Sequence, residues 1–260
     1  MLRSMNDLND YEIVAEDGNV GHIKDFLFDD VAWVVRYFVV ETGNWLSSRK
    51  VLISPISIEK PNWAKRILPV LITKEQVRNS PDIDTEKPIS RQHEFEYSGY
   101  YGYPNYWGGS GLWGGDRYPY ELHPGYTESN QGPSSMNNSA ENSQALDRNL
   151  RSCHAVIGYH IQALDGEIGH VSAILVEENT WAIRYLVIDT TNWWSGHKVL
   201  ISPEWIDEVS WLNGTVSIDL HQQSIKDSPE YVSINQLNRD FEAEIYSHYG
   251  RPAYWVVDSD

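Results

Sequence analysis

Two histidines, His22 and His170, are the first residues to weigh for chemistry. Each closes the same short pattern, Asp-Gly-x-x-Gly-His. A metal centre or an acid–base pair would need two or three further converging groups, and no neighbouring pattern supplies them. Each is read as a histidine hydrogen-bonded beside a turn. Asp17 and Asp165 open the pattern and read as turn formers, because the loop lacks the alternating oxygen series of a calcium site. Ser47 and Ser195 also recur, but no His and Asp pattern stands with them to make a nucleophile. Cys153 is the single cysteine, so there is no disulfide framework. No catalytic, metal-ligating or cofactor-binding residue is assigned, no cofactor is expected, and an enzyme is the least supported class.

Arginine offers sharper candidates. In the stretch from Trp33 to Val40, Trp33, Val35, Tyr37 and Val39 share one strand face, and Val34, Arg36, Phe38 and Val40 share the other. Arg36 is the exception on two apolar faces, and Arg184 repeats it. A buried arginine must find a carboxylate or carbonyl. Candidate acids in both copies are Glu41/Asp189, Glu94/Glu242 and Glu96/Glu244. The helical acids are preferred, with Arg36–Glu96 and Arg184–Glu244 as the structural pairs that latch a helix to a sheet. A second group of candidates lies in loops: Asn44-Trp45 and Asn192-Trp193, with Trp194 replacing Leu46. Loop aromatics serve as interaction residues, or close the open end of a barrel.

These residues recur because the chain is written twice. Residues 31–55 read VAWVVRYFVVETGNWLSSRKVLISP and residues 179–203 read NTWAIRYLVIDTTNWWSGHKVLISP, an offset of 148 positions (179 − 31). The offset holds upstream to Tyr11/Tyr159. Downstream it continues through Trp63/Trp211, Ser80-Pro81/Ser228-Pro229, Arg91/Arg239 and Tyr106-Trp107/Tyr254-Trp255. Such periodicity fixes the architecture before any local reading does. It gives a first unit over residues 1–107, a spacer over 108–158, a second unit over 159–255 and a short tail over 256–260.

Each copy reads as about six short strands followed by two helices. Residues 12–16 and 19–29 flank an Asp-Gly turn. The apolar strand is followed by the Asn-Trp loop and the KVLI strand. Residues 56–63 and 67–72, with their counterparts 204–211 and 215–220, form the last pair. Thr73 and Gln76 fit a capping box for a helix over 74–79. Ser90 and Asn238 are N-caps for a second helix, ended by Gly102 and Gly250. Its apolar stripe is read as His93, Tyr97 and Tyr100, matched by Phe241, Ile245 and His248. The spacer begins with the Gly- and aromatic-rich GGSGLWGGDRYPYELHPGY, which either packs on a barrel or forms a sticky surface segment. It continues with the polar TESNQGPSSMNNSAENSQ, which has the composition of a flexible linker. The predicted fold is mainly β: two small antiparallel barrels related by a pseudo-twofold, each followed by short helices. The long spacer suggests that the aromatic tail of each copy packs on the opposite barrel, so that one chain imitates a homodimer.

Lys and Arg total 20 against 37 Asp and Glu, a net charge of −17. Such a surface repels phosphate and anionic lipid, so nucleic acid is not an expected partner. No apolar run reaches the length of a membrane span, and the N-terminus lacks the apolar core of a signal peptide. A cytoplasmic, acidic protein without an integral membrane segment is expected.

The Asp-Gly-x-x-Gly turn, the W-x-x-R-Y-x-V-[VI]-[ED]-T strand and the KVLISP strand together resemble the PRC-barrel family. That family is named for the cytoplasmic domain of the photosynthetic reaction centre H subunit. The resemblance covers residues 11–107 and 159–255. It implies a non-catalytic barrel used in protein–protein assembly, here a scaffold or adaptor in a larger complex or a stress response, with a protein partner and room for a homo-oligomer. The alternative is a small-ligand or metal-binding sensor with its site between the two barrels, where a twofold axis could bring His22 and His170 together.

Overall fold

The computed structural model describes residues 1–82, 89–107, 109–124, 150–190 and 197–256. The chain divides into two compact units, and the division does not follow the repeat alone. The first unit comprises Leu8–Cys153 with Glu178–Ala182. The second comprises Met1–Asp7, His154–Glu177 and Ile183–Asp260.

In the first unit, β2 (Glu12–Ala15), β3 (Gly18–Asp29), β4 (Val34–Thr42), β5 (Lys50–Ile53) and β6 (Ile67–Pro69) form a sheet in the order β5-β4-β3-β2-β6. A further strand, β7 (Leu150–Ser152), pairs with β3. In the second unit, β8 (His160–Ala163), β9 (Gly166–Glu177), β10 (Ile183–Asp189), β11 (Lys198–Ile201), β12 (Ile206–Ser210) and β13 (Thr215–Ile218) run in the order β11-β10-β9-β8-β13-β12. Strand β1 (Leu2–Ser4) pairs with β9. The fold is mainly β, with two sheets of matching strand order and short helices after each. Two details differ from a pair of antiparallel barrels. Neither strand order returns to its start, and each sheet holds one parallel pair, β2 with β6 and β8 with β13.

Strands β1 and β7 exchange partners. Leu2-Arg3-Ser4 and Leu150-Arg151-Ser152 are the same tripeptide at the repeat offset, yet each completes the sheet built from the other copy. In β7, Ser152 donates its hydroxyl to Asp25, and Arg151 reaches Asp30 at 2.9 Å. What crosses between the copies is thus a strand and not the tail. The tail helix Arg91–Tyr101 stays on the first sheet, contrary to the expected crossing. The reason lies at the edge of β5, where a backbone acceptor and donor face outward. The Tyr97 hydroxyl donates to Leu52 O at 3.3 Å and accepts from Ser54 N at 3.1 Å. The second tail helix, Arg239–Tyr249, likewise bonds its own unit through Glu242 and Tyr185 at 3.1 Å.

The core is the β3–β4 and β9–β10 hairpins. Val34 to Val40 are all buried, Arg36 included, as a strand covered on both faces requires. The Gly21 and Gly169 positions permit the close pass of the next strand. A Cβ at Gly21 would lie 2.0 Å from Glu41 O, and one at Gly169 would lie 2.1 Å from Asp189 O. Gly21→Ala should therefore cost at least about 1 kcal/mol; an unchanged melting temperature would show that the hairpin tolerates the shift.

The helix over Lys74–Asn79 carries the predicted capping box of Thr73 and Gln76. The strand expected over 56–63 is instead a 3-10 turn, Pro55–Ser57, followed by isolated bridges from Ile58 and Asn62. Pro61 has no N–H for a ladder; Val209 occupies the same place in the second copy, and there β12 forms. The buried stripe of the tail helices is Glu94, Tyr97, Ser98 and Tyr101 in the first and Glu242, Ile245 and Tyr246 in the second. His93, Tyr100, Phe241 and His248 are outside it. Tyr97 and Ile245 lie in it as expected, and its first place goes to Glu94 and Glu242 because a carboxylate among donors can be buried. Among the described residues, no helix is long and apolar enough to cross a membrane.

Candidate functional site

Among the described residues, Arg36 and its surroundings form a densely built site. Asp29 ends β3, and the hairpin register sets it opposite Val34. Arg36, two residues along β4, is therefore its diagonal neighbour on the sheet. The two charges stand 3.5 Å apart, with side chains 2% and 1% exposed. Asp29 also accepts from the amides of Val31 and Ala32 at 2.9 and 3.2 Å, closing the turn. The remaining contacts to Arg36 come from sequence 70 to 77 positions away. Its Nη1 donates to Leu112 O at 2.6 Å. Its guanidinium lies 4.0 Å from the Tyr106 ring centroid and 4.7 Å from that of Trp113. Aromatic faces of this kind stabilise a desolvated cation.

The segment that supplies these groups is the aromatic half of the spacer. Gly111 and Trp113 bond back to Gly114 O and Asp116 O at 2.8 and 3.0 Å, which makes a tight loop. The loop needs its glycines: a Cβ on Gly109 would lie 2.1 Å from Gly114 O, and one on Gly111 would lie 2.3 Å from Asp116 O. The loop drives Trp113 to full burial. The indole Nε1 donates to Thr180 O at 2.8 Å, and the ring meets Tyr106 edge-on at 6.2 Å. The spacer's aromatics thus pack on the first unit. The polar half of the spacer lies outside the described residues.

Glu94 completes the cluster from the tail helix. Its carboxylate accepts from the Tyr106 hydroxyl and stands 3.0 Å from Arg91 Nη1. Burial pushes its pKa up to about 7, against the opposing pull of Arg91. A raised carboxylate pKa means that the folded state holds the proton more tightly than the unfolded state. Its contribution to stability is full below the unfolded value and is lost as pH rises through about 7. Glu94→Gln removes this loss, so the variant should show a smaller fall in melting temperature than the parent between about pH 5 and pH 8. An identical fall in both proteins would contradict the assignment.

The second unit repeats the charged and aromatic groups at the same offset. Arg184 bonds Glu177 at 2.6 and 3.0 Å and lies 4.1 Å from the Tyr254 centroid. Arg239 stands 3.2 Å from Glu242, and the Tyr254 hydroxyl donates to Glu242 at 2.9 Å. Asp29, Arg36, Arg91, Glu94 and Tyr106 thus correspond to Glu177, Arg184, Arg239, Glu242 and Tyr254. The two sites differ in cover. The Arg184 side chain is 13% exposed against 2% for Arg36, and Tyr254 is half-buried where Tyr106 is buried.

The expected ion pairs therefore take other partners. Glu96 is exposed and accepts from Gln92 at 3.0 Å, and Glu244 is exposed. Two residues along a helix is more than half a turn, so neither can share the buried face that Glu94 and Glu242 occupy. Asp29 and Glu177, the acids nearest across each hairpin, take the arginines instead. They were missed because a charge at a strand end reads as solvent-facing. Trp113 was missed because it belongs to only one copy.

Of the loop candidates, Asn44 is exposed. Trp45 donates Nε1 to Val20 O at 2.7 Å and lies beneath Lys74, 4.4 Å from its ring centroid. Its indole is used within its own unit. Asn192, Trp193 and Trp194, with Ser195, lie outside the described residues. Asp17 and Asp165 cap helices, each accepting a backbone amide (Lys74 and Gln222) at 2.7 Å. Cys153 is buried, and burial pushes its thiol far above the ordinary range. His22 faces Glu12 and Glu41 in the sheet register. Among the described residues, no group of three or more His, Cys, Asp or Glu side chains could hold a metal ion.

Residues 2–77 match the model of the PRC-barrel domain. The match begins at residue 2, so β1 counts with this domain in sequence although it completes the sheet of the second unit. The second unit is tied to the first by the internal repeat and by its matching strand order. No curated protein matches the chain.

Proposed function

We propose that the chain is a non-enzymatic adaptor whose PRC-barrel units hold segments of polypeptide and so bring proteins together. One observation supports this above the rest. The first unit already clamps a peptide loop, taking its carbonyl at Leu112 with Arg36 and burying its Trp113 side chain. The chemistry is that of recognition: a cation presented to a backbone carbonyl and an aromatic anchor in a fitted slot. The ionisable groups around it are engaged with one another and with the loop, and the reading needs no catalytic step.

Affinity purification of the tagged full-length protein from its native cells, at moderate salt, tests the adaptor role. A protein partner retained at near-stoichiometric ratio is the expected result. Recovery of the chain with no stoichiometric protein would overturn the reading.

A further inference from the structure

The two units carry one clamp each, and among the described residues only the first is filled by a loop of the chain. Residues 108–111 read GGSG, and the matching residues 256–259 read VVDS. Val257 and Ser259 stand where Gly109 and Gly111 do. A Cβ at Gly109 or Gly111 would lie 2.1 or 2.3 Å from a backbone oxygen, so the first copy's loop depends on glycines that the second copy's sequence does not repeat. The second clamp meanwhile keeps its parts: Arg184 beside Glu177 and over Tyr254, with Arg239 over the Trp255 ring at 4.0 Å. Val256, which follows Trp255, is 58% exposed. Arg184 differs from Arg36 in having two bonds to its acid, where Arg36 has one longer approach to Asp29 and a bond to the loop's carbonyl.

We propose that the Arg184–Tyr254 face of the second unit is a docking site for a glycine-flanked tryptophan loop carried by a partner protein. The partner loop is bound as the first unit binds its own Gly109–Asp116. Its tryptophan lies against Tyr254 and the Arg184 guanidinium. The carbonyl before the tryptophan accepts from Arg184, which gives up part of its contact with Glu177. The occupant's chemistry is read from the filled copy: small residues that permit a reverse turn, no charge at its centre, and one indole. This inference rests on the adaptor reading and adds the class of ligand to it.

The probe is a fluorescein-labelled peptide with the sequence of residues 109–117, titrated into the full-length protein and followed by anisotropy. Saturable one-to-one binding is expected, lost when the peptide's tryptophan is replaced by alanine. Arg184→Gln should weaken it by at least about tenfold, the effect of losing one charged hydrogen bond, while Lys60→Gln, at an exposed cation of the first unit, should leave it unchanged. Val256→Lys, at an exposed position, provides a variant that does not disturb the core and should weaken binding several-fold. Absence of saturable binding, equal binding by the alanine peptide, or an equal effect of Lys60→Gln and Arg184→Gln would each overturn the proposal. A stoichiometric partner from native cells together with no peptide binding would sink this docking chemistry and leave the adaptor role standing.

Discussion

Trp113→Ala should destabilise the first unit by about 3–5 kcal/mol, the range for truncating a fully buried aromatic. Trp113 is wholly buried, and three other groups depend on it. Thr180 O loses the indole donor, Arg36 loses one of the two rings over its charge, and Tyr106 loses an edge contact. Trp113→Phe separates the terms: it keeps most of the packing and removes the N–H, so its cost should fall to about 1–2 kcal/mol. Urea denaturation followed by circular dichroism reads both. A Trp113→Ala protein with the parent's midpoint and slope would mean that the loop does not lie in the Arg36 clamp.

Arg36→Ala should cost about 3–5 kcal/mol, because it leaves Asp29 buried without its cation and takes the donor from Leu112 O. The equivalent Arg184→Ala should cost clearly less, about 1–2 kcal/mol, since water reaches that side chain and can solvate what remains. The difference between the two variants is the informative quantity, and calorimetry on both proteins in one buffer measures it. Equal losses would mean that the two clamps are equally sealed. Arg36→Met keeps the stem and removes the charge, and it should fall between the parent and the alanine variant.

Much of this architecture can be read in the residues. The repeat sets two sheets that share five strands in the same order, and Thr73, Ser90, Asn238, Gly102 and Gly250 mark helix ends that the structure reproduces. The need for a partner at Arg36 follows from its place on an apolar strand. The identity of that partner does not. Periodicity sorts residues by polarity, and so leaves Asp29 at a strand end and Glu94 outside the helix's apolar stripe, although a carboxylate with donors around it is content in a core. The aromatic spacer has no second copy against which to judge it, so its composition alone could not say whether it packs. The strand exchange was hidden for another reason. Leu-Arg-Ser is too short to register as a repeat, and sequence cannot show which of two equivalent sheets a strand will join.

The account turns on that exchange: each copy's opening strand completes the sheet of the other, so the halves are joined by pairing as well as by the chain. A recognition site for a specific protease, placed within residues 125–149, tests this directly. After complete cleavage the two fragments should elute as one species in native buffer and separate only in denaturant. Fragments that part in native buffer, each still folded, would show that β1 and β7 pair within their own copies.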